Sequence, residues 1–212
     1  MAAASDVPRL VLQAIVATQS PQALPQQRKE AVAFIEQFKR AEAPTVLSVC
    51  ASLLTTPAAQ LAAGAAGGAQ PGDVMGVRLA AYQLFTDVVR NRWRELAADQ
   101  RLAATQLALQ QFTEAVSPAA AAADAASGAG ASPGGGASPL RGKAAELLAV
   151  VVRQQGAAAY GELVPQLMAG AAAGPLQAEL TCRVLHYISE DLTQFEVSGP
   201  GEWGGGWMCA QS

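Results

Sequence analysis

The chain has 212 residues, of which 51% are hydrophobic and 15% charged, with a formal net charge of −3. That length admits one large domain or a short array with a sizeable core, and the mild acidity offers none of the concentrated basic character of a nucleic-acid binder. Aromatics at 5%, abundant alanine and the lack of alternating β-branched runs argue against sheet and for helix.

The first helical stretch runs from about Asp6 to Thr18, with Leu10, Ile15 and Val16 among its apolar members. It carries Asp6 and Pro8 and no basic n-region, which is unlike a secretory signal. Ser20 to Pro25 reads as a loop. "PQQRKEAVAFIEQFKR" opens on Pro25, a good first-turn residue, and spaces Ala31, Phe34, Ile35 and Phe38 at i, i+3, i+4, i+7. Pro44 separates it from the shorter apolar helix "TVLSVCASLLTT", and Ala65 to Gly72 reads as a Gly/Ala/Pro loop. In "MGVRLAAYQLFTDVVRNRW", with Val74 before it, a helix places Val74, Val77, Ala81, Leu84, Phe85 and Val88 on one face. Gln83, Asp87, Arg90 and Arg94 fall on the opposite side, and Trp93 is expected to sit half-buried and pin the following turn.

"DQRLAATQLALQQFTEAV" follows, its helical face expected to include Leu102, Gln106, Leu109 and Phe112 to Val116. Ser117 to Pro139 is a low-complexity Ala/Gly/Ser/Pro insertion of linker type. Three more helical stretches come after it: "LRGKAAELLAVVVRQQ", "AAYGELVPQLMAG" and "GPLQAELTCRVLHYISEDLTQFE". In the last, Leu176, Leu180, Val184, Ile188 and Phe195 form the apolar face. Residues 197–212 are Gly/Trp-rich with no helical period.

These stretches amount to about eight helices in four antiparallel pairs over residues 1–196, recurring at roughly the 40–47-residue spacing of HEAT-type repeats once the insertion is discounted. No pair can bury its own apolar face, so stacking is required. The expected fold is all-α, a HEAT-like helical-repeat solenoid. No apolar run approaches the ~20 residues of a membrane span. Cys50, Cys182 and Cys209 are far apart and show no CxxC spacing, so they read as free thiols of a reducing compartment rather than disulfide or zinc ligands.

The chemistry of catalysis is sparse. His186, the single histidine, stands four residues before Glu190, a spacing open to a general base or metal half-site, but nothing in sequence completes either, and a surface helix pair is the simpler reading. Serine-elbow, Walker and Rossmann patterns are missing. The expectation is a non-enzyme without metal or cofactor. Arg90, Arg92 and Arg94 do not form one phosphate grip, because Arg92 points about 180° from the stripe. A mixed-sign stripe suits a protein partner. The last helix repeats the pattern with Glu179, Arg183, His186, Glu190 and Gln194. In a solenoid of pairs, the second helices are expected to present these stripes side by side in one groove.

"VRLAAYQLFTDVVRNRW" resembles the second-repeat helix of the importin-β superfamily's N-terminal region, in its HASTY-type exportin branch. The likeness is carried by Val77, Arg78, Gln83, Val88, Val89, Arg90, Arg92 and Trp93. "GPLQAELTCRVLHYISEDLTQF" is similar to that branch's fourth-repeat helix at Gln177, Glu179, Leu180, Leu185, Glu190 and Asp191. Between them, "ELLAVVVRQQGAAAYGELVPQLM" follows the order of helix, aromatic corner and Leu-Val-Pro turn, with Tyr160 where the branch has tryptophan. The resemblance implies a nuclear transport receptor, truncated after its fourth pair, that shuttles between nucleus and cytoplasm past nucleoporins. It implies binding of GTP-bound Ran through inner helices, here Gln83, Asp87, Arg90, Arg94, Glu179, Arg183 and Glu190. Its cargo would be structured small RNA, such as microRNA precursors or tRNA-like molecules, or RNA-binding proteins, held by further repeats. The alternative is a helical-repeat scaffold for another protein, or a remnant without Ran binding.

Overall fold

The structure is a computed structural model that describes residues 6–64, 71–117 and 139–196. Among the described residues the chain forms α1 (Val7–Gln19), α2 (Pro25–Lys39), α3 (Ala43–Thr55), α4 (Ala58–Gly64), α5 (Pro71–Arg92), a 3-10 turn (Trp93–Glu95), α6 (Ala98–Ala115), α7 (Pro139–Gln155), α8 (Ala157–Ala171) and α9 (Pro175–Glu196), with no strand. Proline occupies the first or second position of α1, α2, α3, α5, α7 and α9. There its missing N–H is one the helix could not have used, and its fixed φ starts the first turn. At α2 and α6, where Leu24 and Ala97 lack a capping oxygen, a glutamine three residues on reaches back. Gln27 Oε1 accepts the Leu24 N–H at 3.2 Å and Gln100 Oε1 the Ala97 N–H at 3.0 Å.

Four antiparallel pairs, α1/α2, α3/α5, α6/α7 and α8/α9, stack in chain order, and the short α4 packs on α1 and α5. The chain is an all-α helical-repeat solenoid. Its second helices α5, α7 and α9 follow one another directly in one layer, while the first helices α1, α3 and α6 form the other, with α3 and α6 touching only lightly.

Helix α7 lies at the centre, against α5, α6, α8 and α9. From Ala144 to Val152 every residue except Glu146 is buried, as required of a helix apolar all round. The packing face expected for α5 is the observed one: Val77, Ala81, Leu84, Phe85 and Val88 are buried and Val74 half-buried. Between α7 and α8, Gly156 takes φ +85°, a left-handed conformation natural to glycine alone. Its N–H donates to the Val152 and Arg153 carbonyls at 3.2 and 3.1 Å, closing α7.

Three expectations change. In α6, Leu102 and Leu109 are 58% and 39% exposed, and the buried face is Ala104, Leu107, Ala108 and Gln111. That face mixes small and large side chains and packs chiefly on α7, and Gln111 is tolerated in it because the Tyr82 hydroxyl donates to its Oε1 at 2.7 Å. Next, α5 begins at Pro71, inside the expected Ala65–Gly72 loop, and a short helix not expected from the sequence, α4 (Ala58–Gly64), stands just ahead of that loop. Finally, the Leu-Val-Pro turn is not a turn, since Pro165 lies inside α8. Phe195's side chain, residues 118–138 of the insertion expected at Ser117–Pro139, and the tail at 197–212 fall outside the described residues, while Pro139 itself opens α7.

Candidate partner-binding face

The stripe on α5 is present. Gln83, Asp87 and Arg90 are exposed on one face, and Arg94 is exposed in the 3-10 turn after it. Trp93, expected half-buried, is only 8% exposed. The guanidinium of Arg101 lies 5.9 Å from its ring centroid and donates to the Trp93 and Arg94 carbonyls at 3.2 and 3.3 Å. The α5–α6 corner is therefore covered by a cation–π contact and tied to the next helix. Asp87 accepts a 2.7 Å hydrogen bond from Asn91 one turn on.

On α9, Arg183 and Glu179 pair at 2.8 Å within the helix, both half-buried, and Glu190 pairs with His186 at 3.2 Å, both exposed. The two stripes do not lie side by side. Helix α7 runs between α5 and α9, since these are the second helices of the second and fourth pairs and α7 is the second helix of the third. That helix supplies residues that sequence reasoning missed. Glu146 reaches Arg90 at 3.5 Å and Lys143 at 2.7 Å, and Gln154 Nε2 donates to the Arg90 carbonyl at 3.0 Å. A β-carbon added at Gly142 would meet Arg183 Nη1 at 3.5 Å, so Gly142 is where α9 closes on α7. The signal was the Lys143–Glu146 spacing in "GKAAE", masked by the apolar run that follows. Arg90, Glu146, Lys143, Arg183 and Glu179 thus belong to one face of mixed sign, with α7 in its middle.

Beside this face, α1, α2 and α5 enclose a cleft of about 450 Å³. Ile15, Ile35 and Leu84 give it an apolar floor, and Lys39, Gln83 and Asp87 stand at its polar edge. Arg92 turns away from the stripe, as its helical angle requires. Its Nη1 donates to the Lys39 and Ala41 carbonyls at 3.2 and 2.7 Å, while Nε and Nη2 bind Glu95 at 3.0 and 2.7 Å. The guanidinium holds the Glu95 carboxyl below the usual carboxylate range. In the opposite layer, an apolar groove of about 690 Å³ opens between α3 and α6, with Val7, Leu47, Phe85 and Leu107 in its walls.

His186 and Glu190 form an exposed helix pair, and among the described residues no three His, Cys, Asp or Glu side chains gather as a metal site. Cys50 is fully buried, which pushes its thiol up to about 12, whereas Cys182 is exposed. Cys209 lies outside the described residues. Among the described residues no single helix is long and apolar enough to cross a membrane.

No family model matches the chain, and no solved structure does. The chain is 26% identical over 126 residues to Protein HASTY 1 of Arabidopsis thaliana. The match takes in 59% of this chain but only 9% of that protein's length. The similarity is distant, and it is to the same exportin-like branch that the two helix motifs resemble.

Proposed function

We propose that this chain forms the Ran-binding N-terminal repeats of an exportin-type nuclear transport receptor. The observation that carries the reading is the 126-residue similarity to Protein HASTY 1, supported by a solenoid whose second helices expose a mixed-charge face. GTP-bound Ran meets this face at Gln83, Asp87, Arg90 and Arg94, with Glu179, Arg183 and Glu190 beyond α7. The mechanism is free-energy coupling: Ran in its GTP form binds the receptor shape that also holds cargo, and each ligand strengthens the other by the same factor. Structured RNA or RNA-binding protein cargo contacts further repeats, nucleoporins bind during passage, and the receptor shuttles between nucleus and cytoplasm. No covalent step is involved.

Titration calorimetry of the chain against Ran loaded with a non-hydrolysable GTP analogue, with Ran–GDP alongside, tests this. Tighter binding to the GTP form, weakened by the charge reversals Asp87→Arg and Arg90→Glu, is expected. Equal or undetectable binding of both forms by the folded chain would sink the reading. A second reading, a repeat scaffold without Ran binding, draws on one observation: Arg90, Arg183 and His186 are each already paired with a carboxylate of the same chain, so a partner must compete for them.

A further inference from the structure

We propose that Arg92 is a positioning residue that sets the angle between the first and second helix pairs, and with it the shape of the α2–α5 cleft. The last carbonyls of a helix have no partner within it and carry the negative end of its dipole. Lys39 is the final residue of α2, and its carbonyl and that of Ala41 are both taken by Arg92 Nη1, a group from the far end of α5. The C-terminus of one helix is therefore capped by a cation from the second helix of the next pair.

The fork is held in place from its other side. Nε donates to both oxygens of the Glu95 carboxylate in the 3-10 turn and Nη2 to one of them, so five hydrogen bonds fix one planar group. Only a guanidinium has donors arranged to grip a carboxylate and two carbonyls in different directions at once; an ammonium is a compact point charge on a flexible stem. Lys39 links this clamp to the cleft. Its carbonyl accepts from Arg92, while its side chain lines the cleft opposite Gln83 and Asp87. Helix α2 packs chiefly against α1, the cleft lies between it and α5, and this clamp ties its end to α5. The part of the inference that concerns partner binding rests on the function proposed above; the clamp itself does not.

The test uses the full chain with Cys182→Ser and Cys209→Ser and the buried Cys50 kept. Spin labels at Ala33→Cys on α2 and Met75→Cys on α5 report the inter-pair distance by double electron–electron resonance. A control pair at Met75→Cys and Thr113→Cys reports α5 against α6. Arg92→Ala and Arg92→Lys are both expected to lengthen and broaden the α2–α5 distribution while leaving the control pair unchanged. An unchanged α2–α5 distribution, or equal broadening of both pairs, would overturn the clamp. In the calorimetric assay with GTP-form Ran, Arg92→Lys is expected to weaken binding about 10-fold although Gln83 and Asp87 are intact. Unaltered affinity with an altered distance would overturn the link to the binding site. Absence of binding by the parent chain counts against the proposed function alone, because the distance measurement still decides the clamp.

Discussion

Cys50 and Cys182 differ only in where their helices place them, and their chemistry diverges accordingly. Burial of Cys50 disfavours the thiolate that alkylating reagents attack. In native protein, iodoacetamide at pH 8 is expected to label Cys182 and to spare Cys50 until denaturant is added; peptide mass spectrometry reads the outcome. Two glycines make a similar contrast. Gly156 sits at φ +85°, so Gly156→Ala forces a side chain into the left-handed region and is expected to destabilise by about 1 kcal/mol. At Gly76 an added β-carbon would meet only the far end of the flexible Gln19 side chain. Gly76→Ala, mid-helix, is expected to be neutral or to stabilise by up to about 1 kcal/mol, and urea midpoints of the two variants compare them. Tyr82→Phe removes the buried bond to Gln111 and should cost about 1–2 kcal/mol in the same assay, because the Gln111 carbonyl is left without that donor.

At the scale of the helix, burial separates elements that look alike in sequence. Leu148 on α7 is 1% exposed and Leu102 on α6 is 58% exposed. Leu148→Ala is expected to cost about 2–5 kcal/mol through lost contacts and a cavity, and Leu102→Ala to stay within about 0.5 kcal/mol; chemical denaturation of both variants gives the comparison. The 3.6-residue period sufficed for the existence and order of the main helices and for the packing face of α5, where large apolar residues stand against charged ones. It misplaced the face of α6, where alanine lies on both sides and a close neighbour, not side-chain size, decides which side is covered. Helix α4 was missed because Ala-Ala-Gln-Leu-Ala-Ala-Gly has one large apolar residue, Leu61, and a single residue shows no period. The α5 stripe was legible for the same reason as its packing face. Its setting was not: that Glu146 on α7 engages Arg90 is a tertiary fact with no local trace. The Arg-Trp that closes α5 was visible as a motif, but the carbonyls that Arg92 reaches lie 51 and 53 residues earlier.

For the molecule as a whole, titration links these parts to a measurable curve. Burial raises the pKa of both Cys50 and Tyr82, so the unfolded chain releases these protons at lower pH than the folded one. Stability from keeping the two groups neutral is complete below about pH 9 and falls as pH rises toward 12, since there the unfolded state binds fewer protons. Melting temperatures recorded from pH 8 to 11 are expected to decline, and Cys50→Ala to make the decline shallower. At the acid end the sign reverses for Glu95, whose pKa is lowered chiefly by its hydrogen bond to Arg92: its contribution is present at neutral pH and disappears as pH drops through the carboxylate range. The central place of α7 has a further consequence, in time rather than in space. The helix that covers α5 and α6 comes after them in the chain, beyond residues 118–138. At about 5–20 residues per second the ribosome needs about 2–8 s to travel from Ser117 to Gln155. Through that interval the nascent chain carries two finished pairs and a lone α6 with their α7-facing sides open to water, the state in which a chaperone finds a substrate and in which a stalled or cleaved product would aggregate.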